Sequence, residues 1–334
     1  MAHNLRDQIA LKQVGPDTYT VGWHPDWTLG STLFGGSLTA MIHAAAVAHL
    51  RTDPKLAACD QPDVLGLHVN FLRPCNRCES SITVTPLKLG PTTCTIQLRL
   101  SQNDQLKVIA LATSTNFDRP LGPNAATAWR LLPPPKPAPD FQRVLARLPD
   151  ENWLPGRYSG DIIATTKNLI VLNPRGGFTV DGICDGWYGL IDDAEDMDAT
   201  YVSMMTDIIP SLSDTLLRND GLYDAHAFFA KLERWAADHP GVPAEITNSL
   251  AEAMQASVYN QTAVLDIEFK RRIPQGTRFL FTRVATKMLR DGRMDLDITM
   301  CNETMELLCS ARQLILVLDA ERKFRPAPRS GSSL

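Results

Sequence analysis

The chain has 334 residues, 44% of them hydrophobic and 21% charged, and a formal net charge of −4. That length can bury a large core and sets an expectation of about two domains of ordinary globular composition. The weak acidity offers no footprint for nucleic acid, no apolar run approaches the ~18 residues of a membrane-spanning helix, and MAHNLRDQIALK lacks the apolar core of a secretory signal, so a cytoplasmic protein is expected.

Residues 18–23 (TYTVGW) alternate as a strand does. Phe34, Gly35 and Gly36 then open a helix of small residues, SLTAMIHAAAVAHL, ending near Leu50. Strand-like stretches follow at 64–73, 80–88, 93–101 and 106–117, with Lys88-Leu89-Gly90-Pro91 and Asn103-Asp104 as turns between them. Residues 118–160 break this rhythm, and the proline-dense LLPPPKPAPD predicts an extended, semi-rigid connector. Strand character returns at 162–172, and residues 198–217 predict a second long helix that Pro210 should kink or restart. Segment 219–260 predicts two amphipathic helices, DAHAFFAKLERWAADH and PAEITNSLAEAMQASV, as an insertion; the Phe228, Phe229, Leu232 and Trp235 stripe of the first reads as core before it reads as a lid. A last meander is expected at 262–271, 278–289, 293–301 and 306–318.

The chain repeats itself. LHVNFLRP (67–74) matches LDIEFKRRIP (265–274) at an offset of 198, and Asn103–Ala110 matches Asn302–Cys309 at 199. Two copies of one supersecondary unit, packed as a pseudo-dimer, place function at the seam between them. One helix followed by an antiparallel meander, twice over, predicts an α+β double hot-dog: two tandem units forming one continuous antiparallel sheet around two central helices. The expected boundaries are an N-terminal unit (1–120), the connector (121–160), a C-terminal unit (161–320) holding the insertion, and a tail (321–334).

Seven scattered cysteines, an odd number, fit a reducing compartment, and Cys75 and Cys78 form a lone CxxC in a turn, too little for a metal site. No G-x-S-x-G, G-x-G-x-x-G or P-loop is present. The acidic run IDDAEDMD lacks the glycine and terminal glutamate of an EF-hand. Asp207 lies in the apolar setting MMTDII, where an ionised carboxylate is costly unless it is hydrogen-bonded or wet; it is either a general base toward water or the hub of a local polar network. Gly35 and Gly36 either present helix N-terminal N–H groups to an oxyanion or phosphate, or serve close packing. Alignment of the two helices sets His43 opposite Asp207, as a second acid/base or as a satisfied core histidine. His68, with Asn70 as its polar partner, is a further candidate on the seam strand.

The FGG opening, HVNFLRP, TSTNF, GWYGLIDDAEDMDATYVSMMTD, DGRMDLDITM and LVLDAER, in that order, resemble the acyl-CoA thioesterase II family and its fungal thioesterase-like relatives, over nearly the whole chain apart from the connector and insertion. The resemblance implies hydrolysis of an acyl-CoA or carrier-bound acyl thioester without metal or organic cofactor. In the family an aspartate, a threonine or serine, and a glutamine orient one water against the thioester carbonyl. By position these fall on Asp207, Val264 and Gln313. Val264 is a departure, and Thr262, expected on the same face by strand alternation, would supply the hydroxyl. Gln313 would orient the water and polarise the carbonyl, although strand parity leaves its direction open. Two other readings stand beside this one. The first is a dehydratase, isomerase or cyclase of secondary metabolism using Asp207 and His43. The second is a protein that binds a hydrophobic small molecule. Homo-oligomerisation is left open.

Overall fold

A computed structural model describes residues 5–192, 195–208, 212–217, 224–249, 251 and 256–319. Its dominant element is a 15-stranded sheet. Two seam strands, Asp63–Phe71 and Val258–Phe269, pair antiparallel at its middle, with Leu67 opposite Ile267 and Val69 opposite Leu265. His68 faces Asp266 in the same ladder, and these two are also equivalent positions of the repeat, so the pseudo-twofold axis passes through this pair. Outward on the first side run Gln105–Thr115, Thr95–Gln102, Ser80–Lys88, Thr18–Val21 and Lys12–Gly15. Outward on the second run Leu307–Asp319, Arg293–Cys301, Phe279–Ala285, Ile183–Leu190, Leu169–Pro174, Trp153–Gly160 and Ala244–Asn248. This is the expected double hot-dog, with a larger second unit.

The first central helix, Gly35–Thr52, is apolar almost all round and buried along most of its length, as a helix enclosed by a sheet should be. It stops at Asp53, whose extended backbone is what a residue before proline prefers. The second central helix is Ala199–Met205, opened by the Asp198 carboxylate accepting from the Tyr201 N–H. The two helices meet closely: a Cβ on Gly36 would lie 2.6 Å from the Met204 carbonyl oxygen, so only glycine allows this approach. One apolar core runs beneath both, holding Leu38, Met41 and Ile42 from the first helix with Val202, Met204 and Met205 from the second.

Several expectations need correction. The predicted helix 198–217 ends at Met205; a turn carries Thr206 and Asp207, and a separate short helix spans Ser213–Leu216. Pro210 lies outside the described residues. The first insertion helix forms as Ala225–Asp238, and residues 250 and 252–255 of the second lie outside the described residues. Part of the second, Ala244–Asn248, is instead a strand running parallel to Trp153–Gly160, where β-branched Ile246 and Thr247 suit an edge ladder. Trp153–Gly160 itself falls inside the expected connector. The repeat also slips more than its second block implies. Leu67 pairs with Ala112 and Leu265 with Gln313, so the last strands correspond at an offset of 201, and the longer turn Asn302–Glu306 absorbs the difference.

Candidate active site

Asp207 sits in the turn directly after Met205, its N–H bonded to the Met204 carbonyl at 3.1 Å. Gln313 points inward from the strand next to the seam and is 4% exposed. Its amide nitrogen donates to the Thr206 carbonyl at 2.8 Å and to Asp207 Oδ1 at 3.0 Å. The Thr206 carbonyl accepts only, so the amide orientation is fixed, and Gln313 Oε1 faces the Thr262 hydroxyl at 3.3 Å. Thr262 Oγ1 also lies 3.4 Å from Asp207 Oδ1. The Gly36 N–H at the start of the first central helix is a further donor to the Asp207 carboxylate. Burial pushes the Asp207 pKa up, more than these three hydrogen bonds pull it down. The residue still keeps partial solvent access. Once ionised, a carboxylate raised in this way is a stronger base toward water than a free one.

A β-bulge brings Thr262 there. The seam strand's register shifts between Thr262 and Val264, and this inverts the side-chain parity. Thr262 therefore faces Asp207, while Val264 shares the outer face of the sheet with Asn70 and Asp266. The expected common face of Thr262 and Val264 is thus corrected, and Val264 lies away from the site. The first unit has the same bulge between Val64 and Gly66.

His68 and Asn70 are likewise on the outer face. The His68 ring bonds Asp266 through Nδ1 and Asn70 through Nε2 at 2.7 Å, behind the sheet from Asp207, because Leu67 and Val69 take the inward positions. His43 is 2% exposed and does not meet Asp207. Its Nδ1 pairs with Thr200 Oγ1 at 2.9 Å, its ring packs on Phe269 at 5.5 Å, and its Nε2 has no partner. Burial lowers its pKa to about 4, so the ring is neutral at physiological pH. Gly35 and Gly36 serve the carboxylate directly: a Cβ on Gly35 would stand 2.8 Å from Asp207 Oδ2. Phe71 was missed from sequence. Its ring lies 3.4 Å from that same Cβ position, and its match to Phe269 in the repeat was the available signal.

Gln313 differs from its expected role in one respect. Its amide nitrogen is engaged by Thr206 and Asp207, so it holds the carboxylate in place and leaves only its oxygen toward Thr262.

Residues 23–116 match the acyl-CoA thioesterase N-terminal domain, and residues 134–317 match the acyl-CoA thioesterase C-terminal domain. The thioesterase-like protein TwmA of Talaromyces wortmannii is 23% identical over 96% of this chain and 93% of its own. Among solved structures, a hot-dog-fold protein of Alicyclobacillus acidocaldarius superposes with a TM-score of 0.65 at 17% identity, covering 95% of this chain and 98% of that one. An acyl-CoA thioesterase II of Mycobacterium marinum gives 0.59 at 15% identity, covering 94% and 98%. With both halves of the duplicated sheet matched in order, the chain belongs to the acyl-CoA thioesterase family.

Proposed function

We propose that the protein hydrolyses an acyl thioester, acyl-CoA or carrier-bound, with Asp207 as general base. The observation that carries this reading is the Asp207 carboxylate, raised in pKa by burial and clamped by Gln313 and the Gly36 N–H. Asp207 takes a proton from a water whose oxygen attacks the carbonyl carbon. The Thr262 hydroxyl and Gln313 Oε1 hold that water's orientation. The tetrahedral oxyanion forms near the positive end of the helix Gly35–Thr52, which favours negative charge. The C–S bond then breaks, the carbonyl re-forms, and the thiolate recovers the proton from Asp207, giving a carboxylic acid and a thiol. Family membership supports the reaction class, and the contacts of Asp207 support the roles.

The deciding experiment measures thiol release from short, medium and long acyl-CoAs by wild type and Asp207→Asn. Turnover abolished by the substitution is the expected result. Equal rates in the two proteins would remove Asp207 from the chemistry. A reaction shared between Asp207 and His43 gains no support, because His43 is bonded to Thr200 and enclosed by the core.

A further inference from the structure

At the opposite end of the first central helix from Asp207, three side chains from separate turns converge. Asp17 precedes the strand Thr18–Val21, His49 lies in the helix's last turn, and Asp53 follows the helix. One ligand atom from each lies within 4.8 Å of the others. The His49 side chain is fully enclosed, Asp17 is 54% exposed, and His49 Nε2 has no hydrogen-bond partner.

The protons around His49 can be assigned from its neighbours. Thr52 Oγ1 donates to the Ala48 carbonyl at 2.9 Å, so it accepts from Tyr19 at 3.1 Å. The Tyr19 proton is thereby used, and its oxygen accepts from His49 Nδ1–H at 3.2 Å. In the neutral ring the lone pair of His49 then sits on Nε2. That lone pair faces Asp17 Oδ1 across 3.9 Å, too far for a hydrogen bond. An unprotonated nitrogen set against two carboxylates calls for a positive charge between them. The gap exceeds the roughly 3.3 Å between ligand atoms of a tetrahedral ion by about half an ångström, a closure the exposed Asp17 side chain can make, and the Tyr19 contact orients the ring as the outer partner of a metal-bound histidine does.

We propose that Asp17, His49 and Asp53 bind one divalent transition-metal ion of the Zn2+ type, with water completing the coordination through the open side at Asp17. Asp53 Oδ1 already caps the next short helix through the Lys55 and Leu56 N–H groups, so this ligand is held rigidly. His49 lies thirteen positions beyond Gly36, roughly 20 Å along the helix, so the ion takes no part in the chemistry at Asp207. It ties the edge hairpin Lys12–Gly15/Thr18–Val21 to the end of the central helix.

The test is calorimetric titration of Zn2+ into the chelator-treated full chain, with thermal melts, for wild type, Asp17→Asn and His49→Gln. One equivalent bound, a rise in wild-type Tm, and a roughly tenfold or greater loss of affinity in Asp17→Asn are expected. Asp17 is exposed, so that variant should fold even if His49→Gln does not. No binding by wild type up to about 100 µM would overturn the site, as would Asp17→Asn binding Zn2+ as tightly as wild type, which would place the ion on cysteines such as Cys75 and Cys78.

Discussion

Asp207 and His43 occupy equivalent places in the two halves of the molecule. Asp207 meets the Gly36 N–H at the start of the first central helix, and His43 meets the Thr200 hydroxyl, 2.9 Å away, at the start of the second. Asp207 and His43 are 164 positions apart, as are Thr200 and Gly36. The relation extends to the surroundings. Phe71 lies beside Asp207 and Phe269 beside His43, while Thr262 and Gln313 correspond through the ladder to Val64 and Ala112. Of the two image positions, one holds a carboxylate, hydroxyl and amide, and the other holds apolar side chains around a neutral imidazole.

The polar member of the pair should lose its activity with its charge. Asp207→Asn is expected to lower thiol release by about 10²–10⁴-fold. Because the folded-state pKa of Asp207 is raised above the ordinary 3.8, the acid limb of kcat/KM should lie above that value. The stability sign follows from the same shift. Ionised Asp207 costs stability above its folded pKa, and that cost disappears as pH falls through it. Asp207→Asn should thus melt no lower than wild type at pH 8, with any advantage vanishing in acid.

The bulge makes a paired prediction at two positions of one strand, two residues apart. Thr262→Val removes a hydroxyl beside an ionised carboxylate and should cost about tenfold or more in kcat, corresponding to ~1.5–3 kcal/mol. Val264→Thr places a hydroxyl on the outer face, next to Asn70, and should leave kcat unchanged. Equal losses in both variants would contradict the parity inversion.

Gly35→Ala separates packing from chemistry. Its Cβ would meet Asp207 Oδ2 at 2.8 Å and the Phe71 ring at 3.4 Å. Alanine otherwise favours the helix by about 0.5–1 kcal/mol, so Tm should move little. Thiol release should fall about tenfold or more as the carboxylate is displaced, in keeping with the sensitivity of catalysis to ~1 Å misplacement. A stable variant with wild-type rates would show that the carboxylate tolerates the shift.

Much of this architecture was legible in sequence because the relevant signals are local. Strands 80–88 and 293–301 alternate cleanly and occur as read. Asp207 and Gln313 followed from the resemblance. Trp153–Gly160 was hidden by Pro155 and Gly156, poor strand residues; Pro155 is tolerated because the last strand pairs only from Gly156 onward. The orientations of Thr262 and Val264 were inverted by a bulge, which simple alternation cannot register. His68 and Asn70 looked functional for their chemistry, but strand parity turns them away from the helices.

His43 gives the last prediction. Its folded-state pKa is about 4, against 6.5 for an ordinary histidine, because burial disfavours the charged ring. Between those values the unfolded chain binds the proton and the folded chain does not. The associated stability is therefore fully present above about pH 6.5 and is lost as pH falls toward 4, to a total of about 3 kcal/mol. His43→Leu keeps the apolar packing against Phe269 and removes this linkage. Urea unfolding of both proteins at pH 7.5 and pH 4.5 should show wild type losing about 2–3 kcal/mol more than the variant on acidification, since the carboxylates titrate in both. Thioester hydrolysis at pH 7.5 should remain near wild type. A folded His43→Leu that had lost turnover would mean that the apolar image site takes part in catalysis, and the reaction would then need both halves of the duplication.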